Sequence, residues 1–422
     1  MQHLPSPAAG DRIEHAGGRI EQFARQLLLL AAFSIPFSTA LTNIFAGLTL
    51  IAFVPALLAD RSLARPLASP AALLALALLA LVLVGSTWSI APPAEAQMGM
   101  RKYAKLLIMP MAICLCWRAP GLPARVLRWS LAGSAVLATS LYLVWIDMMP
   151  TSSLGWWRVG DASDPFAFRN HITAGILLSF AACAAFLLAT HETRTRARWA
   201  WIAAGLYFGA PILMGNGRTG YVGLFIGLFA LYLLRGRVTL LRSVLVAALI
   251  STLFAGAYVV SPNLKLRMDL LVTEVAVDNP ASPNGLRKSY MKVGLQTVLE
   301  RPLLGHGTGS FSEVFAPEAQ RIWAASPGEL KTRHQPHSEP LLMAVQFGLV
   351  GVALYFALLG AVARAALRHR DAVADALALL VAVYGITSLF NSLLWNPTEA
   401  CWFLLLGGAL YAHCAQQRGT AQ

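Results

Sequence analysis

Hydrophobic residues run along this chain in blocks of about 20, separated by short polar turns, and one long polar stretch from Ser261 to His337 interrupts them. A helix needs about 20 apolar residues to cross a bilayer. The pattern therefore predicts twelve spanning helices near 22–40, 43–59, 70–88, 98–117, 129–148, 171–190, 199–214, 220–234, 243–260, 338–361, 372–393 and 399–415. Pro36, Pro55, Pro110 and Pro211 fall inside these blocks; membrane helices accommodate proline when neighbours satisfy the freed carbonyls. The expected organisation is all-α and polytopic: nine helices over 1–260, a large loop over 261–337, then three helices and a tail over 338–422.

Composition agrees with the pattern. The 422 residues are 57% hydrophobic and only 13% charged, against about 25% charged in a soluble domain. The net charge of +13 does not point to nucleic acid, because the basic residues sit in short clusters between apolar blocks rather than on a soluble basic domain. Cys114, Cys116, Cys183, Cys401 and Cys414 all lie in or beside apolar blocks, so none can staple the polar stretch. The first 21 residues are polar and mixed in charge with no small-residue cleavage site after them, so no secretory signal peptide is expected.

Charge alternates between turns. Arg61 and Arg65; Arg118, Arg125 and Arg128; Arg194, Arg196 and Arg198; Arg235, Arg237 and Arg242; and Arg364, Arg368 and Arg370 mark one set, whereas Ser89–Gln97 and Leu394–Thr398 carry no Lys or Arg. Positive turns stay inside. Both termini are then cytoplasmic, and the stretch from Ser261 faces outward with Gly215–Thr219 and Met149–Phe168. No ATP or nucleotide sugar is available there, so chemistry on that face needs an energy-rich substrate delivered by the membrane.

Several polar clusters bear on that chemistry. Arg218 lies in GNGRTG (Gly215 to Gly220), where glycines let backbone approach a ligand closely and a guanidinium fork suits phosphate. Arg287 and Lys288 stand near an expected helix start at Asn284, an end that attracts anions. GHGTGSF (Gly305 to Phe311) lacks the strand–turn–helix setting of a dinucleotide loop and reads as a turn beside the bilayer. HQPHSEP supplies His334, His337 and Glu339. A zinc site would need a third ligand and aligned imidazoles, which Pro336 opposes, whereas a single imidazole suits a general base near neutral pH. FAFRNHITAG adds Arg169 and Asn170 as possible substrate-binding groups at the head of a helix, and Glu399 and Trp395 are weaker candidates.

Taken together these pieces resemble the O-antigen ligase and polymerase superfamily of bacterial envelope glycosyltransferases. The GNGRTG turn is similar to that family's Gly/Arg/Ser-or-Thr/Gly turn, the run from Arg287 through PLLGHGTGSF to its Arg-led helix and glycine turn, and His337 to its loop-closing histidine. One departure is Ser338, where the wider family commonly has Asn. The resemblance implies a GT-C-like membrane fold with one large periplasmic loop in the bacterial inner membrane. It also implies an undecaprenyl-diphosphate-linked O-antigen donor, a lipid A–core oligosaccharide acceptor, and no cofactor or metal. By that carry-over Arg218 and Arg287 bind the diphosphate and His337 is the catalytic base. Arg169, Asn170, Lys288, His334 and Glu339 remain possible substrate contacts. An O-antigen polymerase or a protein O-oligosaccharyltransferase would share the donor and differ in acceptor; protein-glycosylating members tend to be longer after the loop, which favours the ligase. A lipid-linked glycan transporter is disfavoured because the chain shows no internal repeat.

Overall fold

Apolar blocks become helices where side chains can close their ends. In the computed structural model, which describes residues 9–149, 159–162, 164–215, 217–235, 239–260, 265–266, 269, 281–324 and 334–416, the helices are α1 (Ala9–Ser34), α2 (Thr39–Ala59), α3 (Pro70–Gly85), α4 (Pro93–Tyr103), α5 (Ile108–Trp117), α6 (Leu122–Trp145), α7 (His171–His191), α8 (Thr195–Met214), α9 (Arg218–Arg235), α10 (Leu240–Val260), α11 (Pro283–Glu300), α12 (Phe311–Ile322), α13 (Glu339–Ala366), α14 (Ala372–Ser388) and α15 (Pro397–Gln416). Ser38, Asn170, Ser282, Ser338 and Asp371 each accept an amide of the first turn that follows. That is the N-cap preference for short oxygen-bearing side chains. Among the described residues no strand forms; the one β-bridge joins Asp161 and Asp164.

Five helices, α2, α6, α7, α9 and α13, are long and apolar enough to cross a membrane, and a sixth span arises if the 3-10 turn Arg61–Ala68 and α3, bent by 84°, count as one. The chain is thus a multi-pass helical membrane protein. The uninterrupted helix expected over 98–117 does not form. Instead α4 ends at Tyr103, a 3-10 turn covers Ala104–Leu107, and α5 resumes at Ile108. Within the polar stretch the helix expected from Asn284 forms as α11, and a second helix, α12, follows it.

The bundle is organised around α15, buried from Thr398 to Ala412, and α7, buried on nearly every side. Outlying helices reverse the soluble pattern. Ile44, Ile51, Val54 and Leu58 of α2 and Leu240, Leu241 and Leu245 of α10 are exposed, as expected where the surrounding solvent is hydrocarbon.

Two glycine-bearing segments allow close packing. Along α9, Gly220, Gly223 and Gly227 lie against Gly175, Ser179 and Cys183 of α7; a Cβ on Gly220 would stand 2.8 Å from the Gly175 Cα. Small residues at these spacings let membrane helices approach closely. The segment 301–310 instead threads a break in α13 at Gly348 (φ 59°, ψ −154°). Carbonyls freed at Val345 and Gln346 accept from His306 N (2.9 Å) and Gly307 N (2.8 Å), and the amide of Leu349 donates to Pro302 O at 2.8 Å. On its other side the Thr308 hydroxyl donates to Val82 O (2.6 Å), and the Ser89 hydroxyl to Thr308 O (2.7 Å). The turn expected beside the bilayer is therefore buried between α3, α4 and α13. The carbonyls of Val345 and Gln346 and the amides of Leu349 and Val350 find replacement partners there, as irregular backbone at membrane depth requires.

Candidate functional site

The helix α11 joins the separated motifs. Ser282 caps it, Pro283 opens it, and Asn284, Arg287 and Tyr290 follow at three-residue steps that keep them on one side. Asn284 meets Arg218 at the head of α9: the guanidinium donates to the amide oxygen at 3.3 Å. Tyr290, fully buried against Phe311 and Phe315 of α12, sets its ring 6.2 Å from the His337 imidazole. Arg287 stands between these two contacts, and Lys288 beside it is exposed. One face of one helix thus connects GNGRTG with HQPHSEP.

Asn284 is a residue that the sequence reading used only to mark a helix start. It is buried, and with its oxygen taken by Arg218 its amide nitrogen has no partner among the described residues. A buried donor left unmatched costs roughly 1–3 kcal/mol. Here it adjoins the first turn of α11, where backbone amides also favour an anion. The signal in the sequence was its place three residues before Arg287.

His337 carries the site's backbone strain. Its φ of 54° is in the left-handed region, which costs a non-glycine residue on the order of 1–3 kcal/mol. The next residue, Ser338, caps α13 by accepting from Leu341 N at 3.4 Å. Asn and Ser cap almost equally well, so serine at this position preserves the local geometry. His334 goes elsewhere: its Nδ1 lies 2.9 Å from Glu95 Oε2 of α4, within ion-pair distance though outside good hydrogen-bond alignment. The two histidines therefore answer to different elements.

Three further candidate residues bond within the fold. The Arg169 guanidinium donates to Ile35 O (2.8 Å), Pro36 O (3.2 Å) and the Thr39 hydroxyl, pinning the α1–α2 turn. Burial brings its pKa down to about 10, a cost these bonds offset. Asn170 uses its side-chain oxygen to cap α7, accepting from Thr173 N at 2.9 Å. Glu339 is fully buried; one oxygen accepts from Tyr103 OH (3.2 Å), the other from Leu394 N (2.8 Å) and Trp395 N (3.4 Å). It ties α4 and the α14–α15 turn to the start of α13. The glycines of GNGRTG likewise serve helix packing: a Cβ on Gly217 would lie 2.4 Å from His171 O.

Residues 203–356, from α8 to the middle of α13, match the family model described as O-antigen ligase. Over this region the chain is similar to the O-antigen ligase family. Arg218, Asn284, Arg287, Tyr290 and His337 all fall inside it, whereas Arg169, Asn170 and α4 lie outside. No curated protein matches the chain.

Proposed function

We propose that this protein transfers O-antigen glycan from undecaprenyl diphosphate to lipid A–core oligosaccharide at the periplasmic face of the bacterial inner membrane. The observation that carries the proposal is the α11 face, with Asn284 on Arg218 at one end, Tyr290 on His337 at the other and Arg287 between. In this reading Arg218 and Arg287 hold the two phosphates, and the spare Asn284 amide donates to a phosphate oxygen. His337 accepts the proton of the acceptor hydroxyl while that oxygen bonds to the anomeric carbon. The bond from that carbon to the phosphate oxygen breaks, and undecaprenyl diphosphate departs with the electron pair, its charge met by the two guanidiniums. The imidazolium then returns its proton to water. Attack opposite the leaving group inverts the anomeric centre, and the energy comes from the glycosyl–phosphate bond, so no ATP is consumed and the countercharge needs no cation beyond the arginines. The polar region 261–337 acts as a wall over the membrane helices of 1–260 and 338–422, with both termini cytoplasmic.

The test supplies purified protein with lipid-linked O-antigen and offers lipid A–core, free glycan or a pilin-like peptide separately. Glycan appearing on lipid A–core with inverted linkage is the expected result. Extension of the glycan, or modification of the peptide, with lipid A–core untouched would replace the ligase reading by a polymerase or a protein oligosaccharyltransferase.

A further inference from the structure

Three cations lie in a block whose hydropathy reads as a membrane span. Arg101, Lys102 and Lys105 fall at the end of α4 and in the 3-10 turn that breaks it from α5. Ionisable side chains at such positions are costly and stand where they meet a partner, water or a ligand. No carboxylate pairs with them among the described residues. Arg101 donates to the Gln97 amide oxygen at 3.0 Å, Lys105 reaches the Lys102 carbonyl at 3.4 Å, and Lys102 sits 4.9 Å over the Trp395 ring.

Arg101 and Lys105 line a groove of about 340 Å³ between α2 and the α4–α5 break. Asn43 joins them from the early part of α2; the later residues Leu50, Ile108 and Met111 make the rest of the lining apolar. In both walls the polar lining comes earlier in the chain and the apolar lining follows. A Cβ on Gly47, also in the lining, would meet nothing within 4 Å, so the space beside it is open. Two cations above an apolar slot match an amphiphile with anionic phosphate over acyl chains. The opposite side of α4 leads to the site, since Tyr103 bonds Glu339, two residues from His337.

We infer that this groove holds the phosphorylated glycolipid end of the acceptor, Arg101 and Lys105 taking its phosphate and α2 and α5 its acyl chains. The choice of the acceptor over bulk anionic phospholipid rests on the function proposed above and on the hydrogen bond that joins Tyr103 to Glu339, two positions from His337. The donor's anionic grip, on α9 and α11, is built from different residues.

The experiment measures binding of bis-phosphorylated lipid A to the full chain in phosphatidylcholine nanodiscs. Dephosphorylated lipid A should bind at least about tenfold more weakly, and Arg101→Gln with Lys105→Gln should weaken binding about fivefold for each cation removed. Gly47→Leu, which adds a side chain into open space, should weaken it too, and excess phosphatidylglycerol should not compete. Equal binding of the two lipid A forms, unchanged affinity in the double variant, or competition by phosphatidylglycerol overturns the inference. Arg101→Gln alone keeps the test readable if the double variant fails to insert, because that side chain is exposed and, among the described residues, bonds only Gln97. Arg218→Gln should leave lipid A binding intact; its loss would merge the two sites and overturn a separate groove. Phosphate-dependent binding without glycan transfer by the unaltered protein would defeat the proposed reaction and leave the groove standing.

Discussion

Glu339 and His337 are two positions apart and live under opposite conditions. Glu339 is enclosed, with both oxygens committed to donors from α4 and the α14–α15 turn. His337 is half-buried, held in a left-handed backbone conformation, with its ring against Tyr290. The same contrast separates Arg169, spent on the α1–α2 turn, from Arg218, joined to an Asn284 whose nitrogen is unmatched. A saturated polar group in a membrane protein stabilises the fold, because nothing else at that depth can satisfy its neighbours. Strain and unmatched donors lower stability, and they persist where a ligand completes the arrangement.

Substitutions can break this contrast. The largest effect is expected from His337→Gly, which removes the imidazole and relieves the positive φ. Transfer should fall about 10²–10⁴-fold while the thermal unfolding midpoint holds or rises, read by a glycan-transfer assay beside a fluorescence melt. Intact transfer with a lowered midpoint would put His337 on the structural side with Glu339. Next come Arg218→Lys and Arg287→Lys, which keep the charge and lose the planar fork. Each should lose about 10²-fold in transfer with no loss of midpoint, and full activity in either variant would remove that arginine from the diphosphate grip.

Glu339→Ala tests the other side. It strands two backbone amides and the Tyr103 hydroxyl, at roughly 1–3 kcal/mol each. The midpoint and the yield of folded protein should drop together, and Glu339→Gln, which keeps an acceptor oxygen, should recover part of the loss. A normal melt for Glu339→Ala would refute its role as the tie between α4 and α13. The smallest effect is at Ser338: Ser338→Ala should cost about 1 kcal/mol and Ser338→Asn only a few tenths. Equal melts for both variants would show that the cap does not hold His337 in place.

Much of this was legible beforehand. Runs such as 171–190 and 338–361 announce helices because burial in lipid demands continuous apolar residues, and α7 and α13 begin within a residue of the expected starts. The helix start at Asn284 was legible too, from turn residues before an amphipathic run. The break after Tyr103 was not anticipated, although Arg101, Lys102 and Lys105 inside an apolar block were its trace. The two glycine motifs look alike in sequence yet do different work. Those of GNGRTG admit a neighbouring helix, whereas Gly305, Gly307 and Gly309 adopt positive φ to thread a broken one. Composition cannot separate these uses, since both need only the absence of a Cβ.

The sequence by itself determined the membrane class and the positions of most helices, because hydropathy is a local property, and the resemblance of its motifs to a known family singled out the three side chains proposed for transfer. Only the tertiary structure decided which polar groups are already spent. Arg169 is satisfied by carbonyls more than 130 positions away and Glu339 by a tyrosine 236 positions away, while Asn284 is left with a donor to offer. A side chain's remaining hydrogen-bonding capacity depends on what packs against it, and in this chain those partners come from remote segments.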